Sequence, residues 1–293
     1  MKDLKSPLRY PGGKSRAVKF LFQEQNLPAD TINEYREPFL GGGSCAIEFT
    51  KQNPNTPVWV NDKYYNLYCF WDVLKNDPIN LTKCLTTLKD DLLRSSDPNQ
   101  AHLDMFPILK ESLKDPNTSA FDRAWQFYTI NRCSFSGLGE TAGSFSKVAI
   151  NSNFNHNIID RLPRFSQLIQ KWHITNYDYA ELLDGDKDAF VFADPPYDIK
   201  SFIYGDEGNM HSGFDHKKFH DDVDSCGNMV MITYNSNDTL KEAYTGWEQT
   251  EWDLTYTMHS SKTYRDDEAN RKELLLTNYI RKRQSSLDLF MEM

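Results

Sequence analysis

Apolar residues recur along the chain in two rhythms. Short, nearly continuous runs at Val58-Trp59-Val60, Trp172-His173-Ile174, Ala189-Phe190-Val191-Phe192 and Val230-Met231-Ile232-Thr233-Tyr234 are rich in β-branched and aromatic residues. Such runs predict strands buried on both faces, and Tyr35-Arg36-Glu37 reads as a further strand. Between them the spacing lengthens. Leu81, Leu85, Leu88, Leu92 and Leu93 recur at helical intervals until Asp97-Pro98-Asn99 breaks the pattern, and helices are also predicted over Ala120–Ile130, Leu162–Lys171 and through Lys217, Phe219 and Val223. Two late runs, Trp252–Met258 and Leu274–Ile280, flank a charged loop without a helix between them, which predicts an antiparallel hairpin at the sheet edge. Strands alternating with helices predict an α/β fold with a mixed, mostly parallel sheet. The helical stretch interrupts that alternation, so the predicted division is a domain of residues 1–75 and 166–293 with a mainly helical insertion at 76–165.

Candidate chemistry collects where the strands end. Asp194-Pro195-Pro196-Tyr197 follows the apolar run 189–193 directly, placing a carboxylate, a carbonyl between two prolines and an aromatic ring on one stiff loop. Those groups suit a flat nucleobase amine, although Asp-Pro also opens ordinary turns. Gly41-Gly42-Gly43 follows the strand at Tyr35–Glu37 and lets backbone approach a ligand closely. Asn61-Asp62 ends the next strand, about twenty residues on, where a Rossmann-like unit holds a ribose by its hydroxyls; Asp62 can equally cap a helix. Upstream, Pro11-Gly12-Gly13-Lys14 forms a tight turn with Lys14 at or near a helix start, an arrangement suited to an anion but lacking the upstream glycine of a Walker loop. Asp178 stands after the run at Trp172 and is read as a helix cap or an acceptor for a ligand amine. His216 and His220 are four residues apart, but without the accompanying glutamate no metal site is expected.

Composition narrows the setting more than the chemistry. The chain has 293 residues and a net charge of −9, unevenly spread: residues 1–25 hold six Lys/Arg against two Asp/Glu, whereas 181–224 hold four against twelve. Total charge therefore neither establishes nor excludes a nucleic acid partner. Five dispersed cysteines argue against a disulfide framework. No apolar run approaches the ~18 residues of a spanning helix, and no signal peptide is recognised. A soluble, cytoplasmic protein without a membrane partner is expected.

In order along the chain, Pro-Gly-Gly-Lys, Pro-Phe-Leu-Gly-Gly-Gly-Ser, Asn-Asp, an insertion with Asn131-Arg132 and Gly137-Leu138, and Asp-Pro-Pro-Tyr together resemble the Dam-like, D12 class of adenine-N6-specific DNA methyltransferases. The resemblance covers nearly the whole chain. It implies a Rossmann-like S-adenosylmethionine-dependent methyltransferase fold, double-stranded DNA as partner, and a bacterial or viral-encoded origin. A companion restriction endonuclease is compatible with it, and the oligomeric state is left open. Implied cofactor contacts are Tyr10, Lys14, Pro38, Phe39, Gly41, Gly43, Asp62, Asp178 and Asp194. Asp194, Pro195, Pro196 and Tyr197 are the implied catalytic residues, polarising and stacking on an adenine that has left the duplex. Within residues 131–147, Asn131, Arg132 and Lys147 are the candidate DNA contacts. Here Gly143-Ser144-Phe145-Ser146-Lys147 replaces the Phe-Asn-Val-Pro-like segment of many relatives that read GATC, so the target sequence is not implied. The alternatives are another planar amine as acceptor (cytosine N4, RNA adenine or a protein glutamine) and a catalytically silent DNA-binding module. The absence of any Pro-Cys dipeptide fits an amine rather than a cytosine carbon.

Overall fold

The computed structural model describes residues 3–10, 12–134, 142, 144–185, 188–196, 214–253 and 272–282. Seven strands form one sheet: β1 (Glu34–Glu37), β2 (Val58–Asn61), β3 (Trp172–Thr175), β4 (Ala189–Ala193), β5 (Met229–Asn235), β6 (Glu248–Asp253) and β7 (Lys272–Thr277). Their spatial order is β3-β2-β1-β4-β5-β7-β6. The first five are mutually parallel, and β7 runs antiparallel to both β5 and β6. The expected mixed sheet with an antiparallel pair is present. Its order refines the expectation, because β7 lies inside and β6 is the outer strand.

Eleven helices are described: α1 (Val18–Leu21), α2 (Ser44–Gln52), α3 (Tyr65–Asn76), α4 (Pro78–Arg94), α5 (Pro98–Lys114), α6 (Ala120–Cys133), α7 (Lys147–Asn153), α8 (His156–Ile159), α9 (Leu162–Ile169), α10 (His216–Ser225) and α11 (Asp238–Ala243). None among the described residues is long and apolar enough to cross a membrane. The break at Asp97-Pro98 also starts a helix that the apolar pattern does not announce. The Asp97 side chain accepts the Gln100 N–H at 3.0 Å, and Pro98 occupies the first turn of α5, where it has no hydrogen bond to lose. The run after Trp172 leaves strand geometry at Thr175, because the Asn61 carboxamide takes the Tyr177 N–H at 2.7 Å and turns the chain. The late strand expected from Trp252 is observed from Glu248 to Asp253, in register with β7, and residues 254–258 lie outside the described residues.

Every residue of β4 is buried, which explains its unbroken apolar sequence. On one face Phe190 and Phe192 join a core with Phe22, Phe49 and Met231; on the other Val191 and Ala193 meet Val230, Ile232, Phe219 and Val223. The first core continues through α3 into α4–α6, where Phe70 and Tyr128 stack with ring centroids 5.4 Å apart.

Gly43, the residue before α2, has φ +66°, and a Cβ there would lie 2.7 Å from the Trp71 ring. That ring in turn donates its indole N–H to the Gly41 carbonyl at 3.1 Å. Left-handed strain alone costs about 1–3 kcal/mol. Gly43→Ala is therefore expected to lower unfolding free energy in a denaturant titration by at least that amount.

Candidate active site at the carboxyl ends of the parallel strands

The strand order reverses between β1 and β4, so the loops leaving their carboxyl ends diverge and open a crevice. A cavity of about 590 Å³ occupies it. Tyr10, Lys14, Pro38, Phe39, Gly41, Gly43, Asp62, Asp178, Asp194, Pro195 and Pro196 all line this cavity. Tyr197 lies outside the described residues.

Asp194 is held from two sides. Lys14 Nζ donates to its Oδ2 at 2.8 Å, and the Thr233 hydroxyl, from β5, donates to Oδ1 at 2.8 Å. Lys14 is only 3 % exposed. Burial pulls its pKa down, but the charges of Asp194 and Glu273 prevail and raise it, so the ammonium stays protonated. At the cavity floor Glu37 accepts the Tyr35 hydroxyl at 2.6 Å, and burial pushes its carboxyl well above the ordinary range.

Asp62 ties two loops together. Its Oδ2 accepts the Gly41 N–H at 2.9 Å and its Oδ1 accepts the Tyr64 N–H at 2.9 Å. Each oxygen keeps a second lone pair for a ligand hydroxyl. Burial raises its pKa to about 7, against the stabilising Gly41 N–H. Gly41 has φ +47° and would place a Cβ 3.0 Å from the Tyr10 ring, so the chain passes beside that ring without a side chain between them. At the far end of the cavity Phe39, Tyr179 and Phe214 pack with centroids 5.6–5.7 Å apart. Beside them Asp178 caps the turn Tyr179–Leu182 and pairs with Lys63 at 2.9 Å. Burial tends to raise its pKa, but Lys63 and the Ala180 N–H hold it below the usual carboxylate range.

The three candidate DNA contacts are not brought into this cavity. Asn131 is buried and clamps the Arg9 backbone, accepting its N–H at 2.9 Å and donating to its carbonyl at 2.7 Å. Arg132 is also buried and donates to the carbonyls of Asn153 and Pro7. Lys147 is exposed at the start of α7. The intervening residues 135–141 and 143 lie outside the described residues. His216 and His220 face different partners, the Tyr234 hydroxyl and the Ala243 carbonyl.

The family model for D12 class N6 adenine-specific DNA methyltransferases matches residues 10–258. The chain belongs to that family. It is 26% identical to the Type II methyltransferase M.MjaIII of Methanocaldococcus jannaschii over 84% of this chain and 89% of that protein. It is 23% identical to the Type II methyltransferase M.CviBI of Paramecium bursaria Chlorella virus NC1A, over 94% of this chain and 100% of that one. With the Type II methyltransferase M1.LlaDCHI of Lactococcus lactis subsp. cremoris the identity is 25%, over 94% and 96%. The protein is thus a DNA adenine-N6 methyltransferase, and its reaction requires a methyl donor.

Thr233, Glu37 and Glu273 of this D12-class enzyme, which support Asp194 and Lys14 or line the cavity, belong to no sequence motif. Thr233 sits inside a strand that reads as core, Glu273 lies just before the apolar run expected from Leu274, and Glu37 ends a strand directly before the Pro-Phe motif. A polar residue at a strand's carboxyl end was the available signal for Glu37. Thr233 had none, because its partner Asp194 is 39 residues away. A hydrogen bond to a charged group contributes about 1.5–3 kcal/mol. Thr233→Val should therefore lower kcat about tenfold or more with the circular-dichroism spectrum unchanged. Thr233→Ser, which restores the donor, should recover most of the loss.

Proposed function

We propose that the cavity binds S-adenosylmethionine and that the Asp194–Tyr197 loop receives an adenine rotated out of the duplex. The observation that carries this reading is the junction of two half-sites: Asp194, held by Lys14 and Thr233, shares one cavity with the glycine loop and Asp62. The residues fit the cofactor on chemical grounds. Asp62 has lone pairs for ribose hydroxyls, the glycine loop admits a ligand against bare backbone, and the Phe39–Tyr179–Phe214 cluster offers aromatic surface for a purine. Bound there, the cofactor supplies an electrophilic methyl group on a sulfonium.

The chain's own groups do the rest. Adenine N6 is inaccessible within stacked DNA, so the base must leave the duplex. Asp194 and the Pro195 carbonyl accept hydrogen bonds from the two N6–H groups, turning the nitrogen lone pair toward the methyl, and one N6 proton passes to solvent once the nitrogen is methylated. Tyr197 is assigned to stacking on the extruded ring. Positioning and fixed charge then suffice for direct transfer without a covalent enzyme intermediate. Lys14 and Thr233 hold the carboxylate through the reaction, so little reorganisation accompanies charge development. Residues 76–165 are assigned to target recognition, with the exposed Lys147 among the residues that read the DNA, while the buried Asn131 and Arg132 support that region from within.

Two outcomes test this reading. Modification-detecting sequencing of DNA from a methylation-deficient host expressing the enzyme should show N6-methyladenine at one recurrent motif, absent with Asp194→Ala. Unmodified DNA despite measurable cofactor binding would overturn it. The second test uses pH. Ribose hydroxyls donate to ionised Asp62, whose free-state pKa is about 7, so binding below that value must expel a proton. Cofactor affinity by calorimetry should rise about tenfold from pH 6 to pH 8, with a proton released on binding at pH 6. Asp62→Asn should bind more weakly and lose this pH dependence.

A further inference from the structure

Three carboxyls at the ends of parallel strands line the candidate cofactor cavity: Glu37 on β1, Asp62 after β2 and Asp194 after β4. They are not compensated alike. Asp194 takes Lys14 and Thr233, and Asp62 takes two backbone N–H groups. Glu37 is 3 % exposed and accepts the Tyr35 hydroxyl on Oε2, but no ion pair among the described residues includes it. The ionisable groups that act on it or share its surroundings are Tyr35 on its own strand, Cys45 on α2, Asp62 and Asp194, and none of these is a cation. Lys14 lines the same cavity with its ammonium committed to Asp194. Desolvation and the two like charges therefore oppose ionisation of Glu37. A cation entering the cavity reverses that balance.

Strand register puts Glu37 close to the chemistry. β1 and β4 are parallel neighbours with Arg36 opposite Val191, so Glu37 falls level with Phe192, two residues before Asp194. With the acceptor amine held at Asp194, the sulfur that gives up the methyl must lie beside these two strand ends. Its charge changes in the reaction. Transfer breaks the sulfur–methyl bond, leaving the electron pair on sulfur, and forms a carbon–nitrogen bond from the N6 lone pair; the surplus N6 proton goes to solvent. The cavity thus faces a sulfonium before transfer and a neutral thioether after it. The Tyr35 hydroxyl and the Ala46 N–H favour the ionised form of Glu37, so donors for the anion are already in place.

We propose, on the reading that this cavity binds S-adenosylmethionine, that Glu37 distinguishes cofactor from product: its carboxyl is protonated in the empty cavity and beside the thioether, and ionises when the sulfonium is bound. The ionised carboxyl attracts the sulfonium through a poorly screened interior, where a charge acts strongly over a few ångströms. The thioether receives no such attraction. Cofactor therefore gains affinity that product does not share, which favours exchange of spent for fresh cofactor after each transfer. Glu37 is a positioning and discriminating group in this scheme and takes no part in bond making.

The test is calorimetry on the full chain with S-adenosylmethionine and with S-adenosylhomocysteine, at pH 7 and pH 8, in buffers of different ionisation enthalpy. Both ligands carry the same ribose and adenine, so the ionisation of Asp62, with its pKa of about 7, contributes equally to both and cancels in their ratio. The wild type should release about one more proton with the sulfonium than with the thioether, and the ratio of product Kd to cofactor Kd should rise about tenfold over that pH unit. Glu37→Gln keeps an acceptor for the Tyr35 hydroxyl; it should bind both ligands with equal proton release and a ratio that does not change with pH. Equal proton release by the two ligands on the wild type would overturn the proposal without any variant having to fold, and would leave the cofactor site standing. A pH-dependent ratio that survives in folded Glu37→Gln would also overturn it, by assigning the effect to another group. Failure of both ligands to bind would instead overturn the cofactor reading, and the role of Glu37 with it.

Discussion

The ion pair between the buried Lys14 and the half-buried Asp194 fixes one wall of the candidate active-site cavity. One partner comes from the amino-terminal turn and the other from the end of the central strand, 180 residues apart. A buried charge pair gives little net stability compared with an apolar replacement, but removing one partner typically costs about 3–5 kcal/mol because the other is stranded. Retaining such a pair inside a cavity makes sense where one member must stay ionised and correctly aimed. Thr233 fixes the second oxygen of the same carboxylate, so its orientation is set before any ligand arrives.

The amino-terminal segment carries this arrangement to the rest of the molecule. It is threaded through the fold by polar contacts with backbone: Arg132 reaches the Pro7 carbonyl, Asn131 clamps Arg9, and Ser6 holds the Gly42 carbonyl. Residues 3–10 and 12–17 therefore contact α6, the glycine loop and the Asp194 carboxylate. The Asn-Arg pair does its visible work here, as an anchor for the amino-terminal segment. The net charge of −9 is no obstacle to a DNA substrate, because screening at physiological salt confines the reach of exposed charges to ~8 Å.

Much of the architecture was legible in the sequence for local reasons. Strands buried on both faces must be apolar at every position, and β4 is so at all five. Glycines at 41 and 43 mark backbone that a side chain would obstruct, and the prolines after Asp194 stiffen the loop that carries it. From these the mixed α/β sheet, the cavity at strand ends and its lining residues could be read. What only the tertiary structure decided were the pairings across long sequence separations. The placement of β7 between β5 and β6, the grip of Thr233 on Asp194, the burial of Glu37 and Glu273, and the turning of Asn131 and Arg132 toward the amino-terminal segment all depend on contacts between distant segments. Residue type and spacing encode which groups a position can offer. Which partner receives them is set only when the chain packs, because a hydrogen bond is decided within about 3 Å.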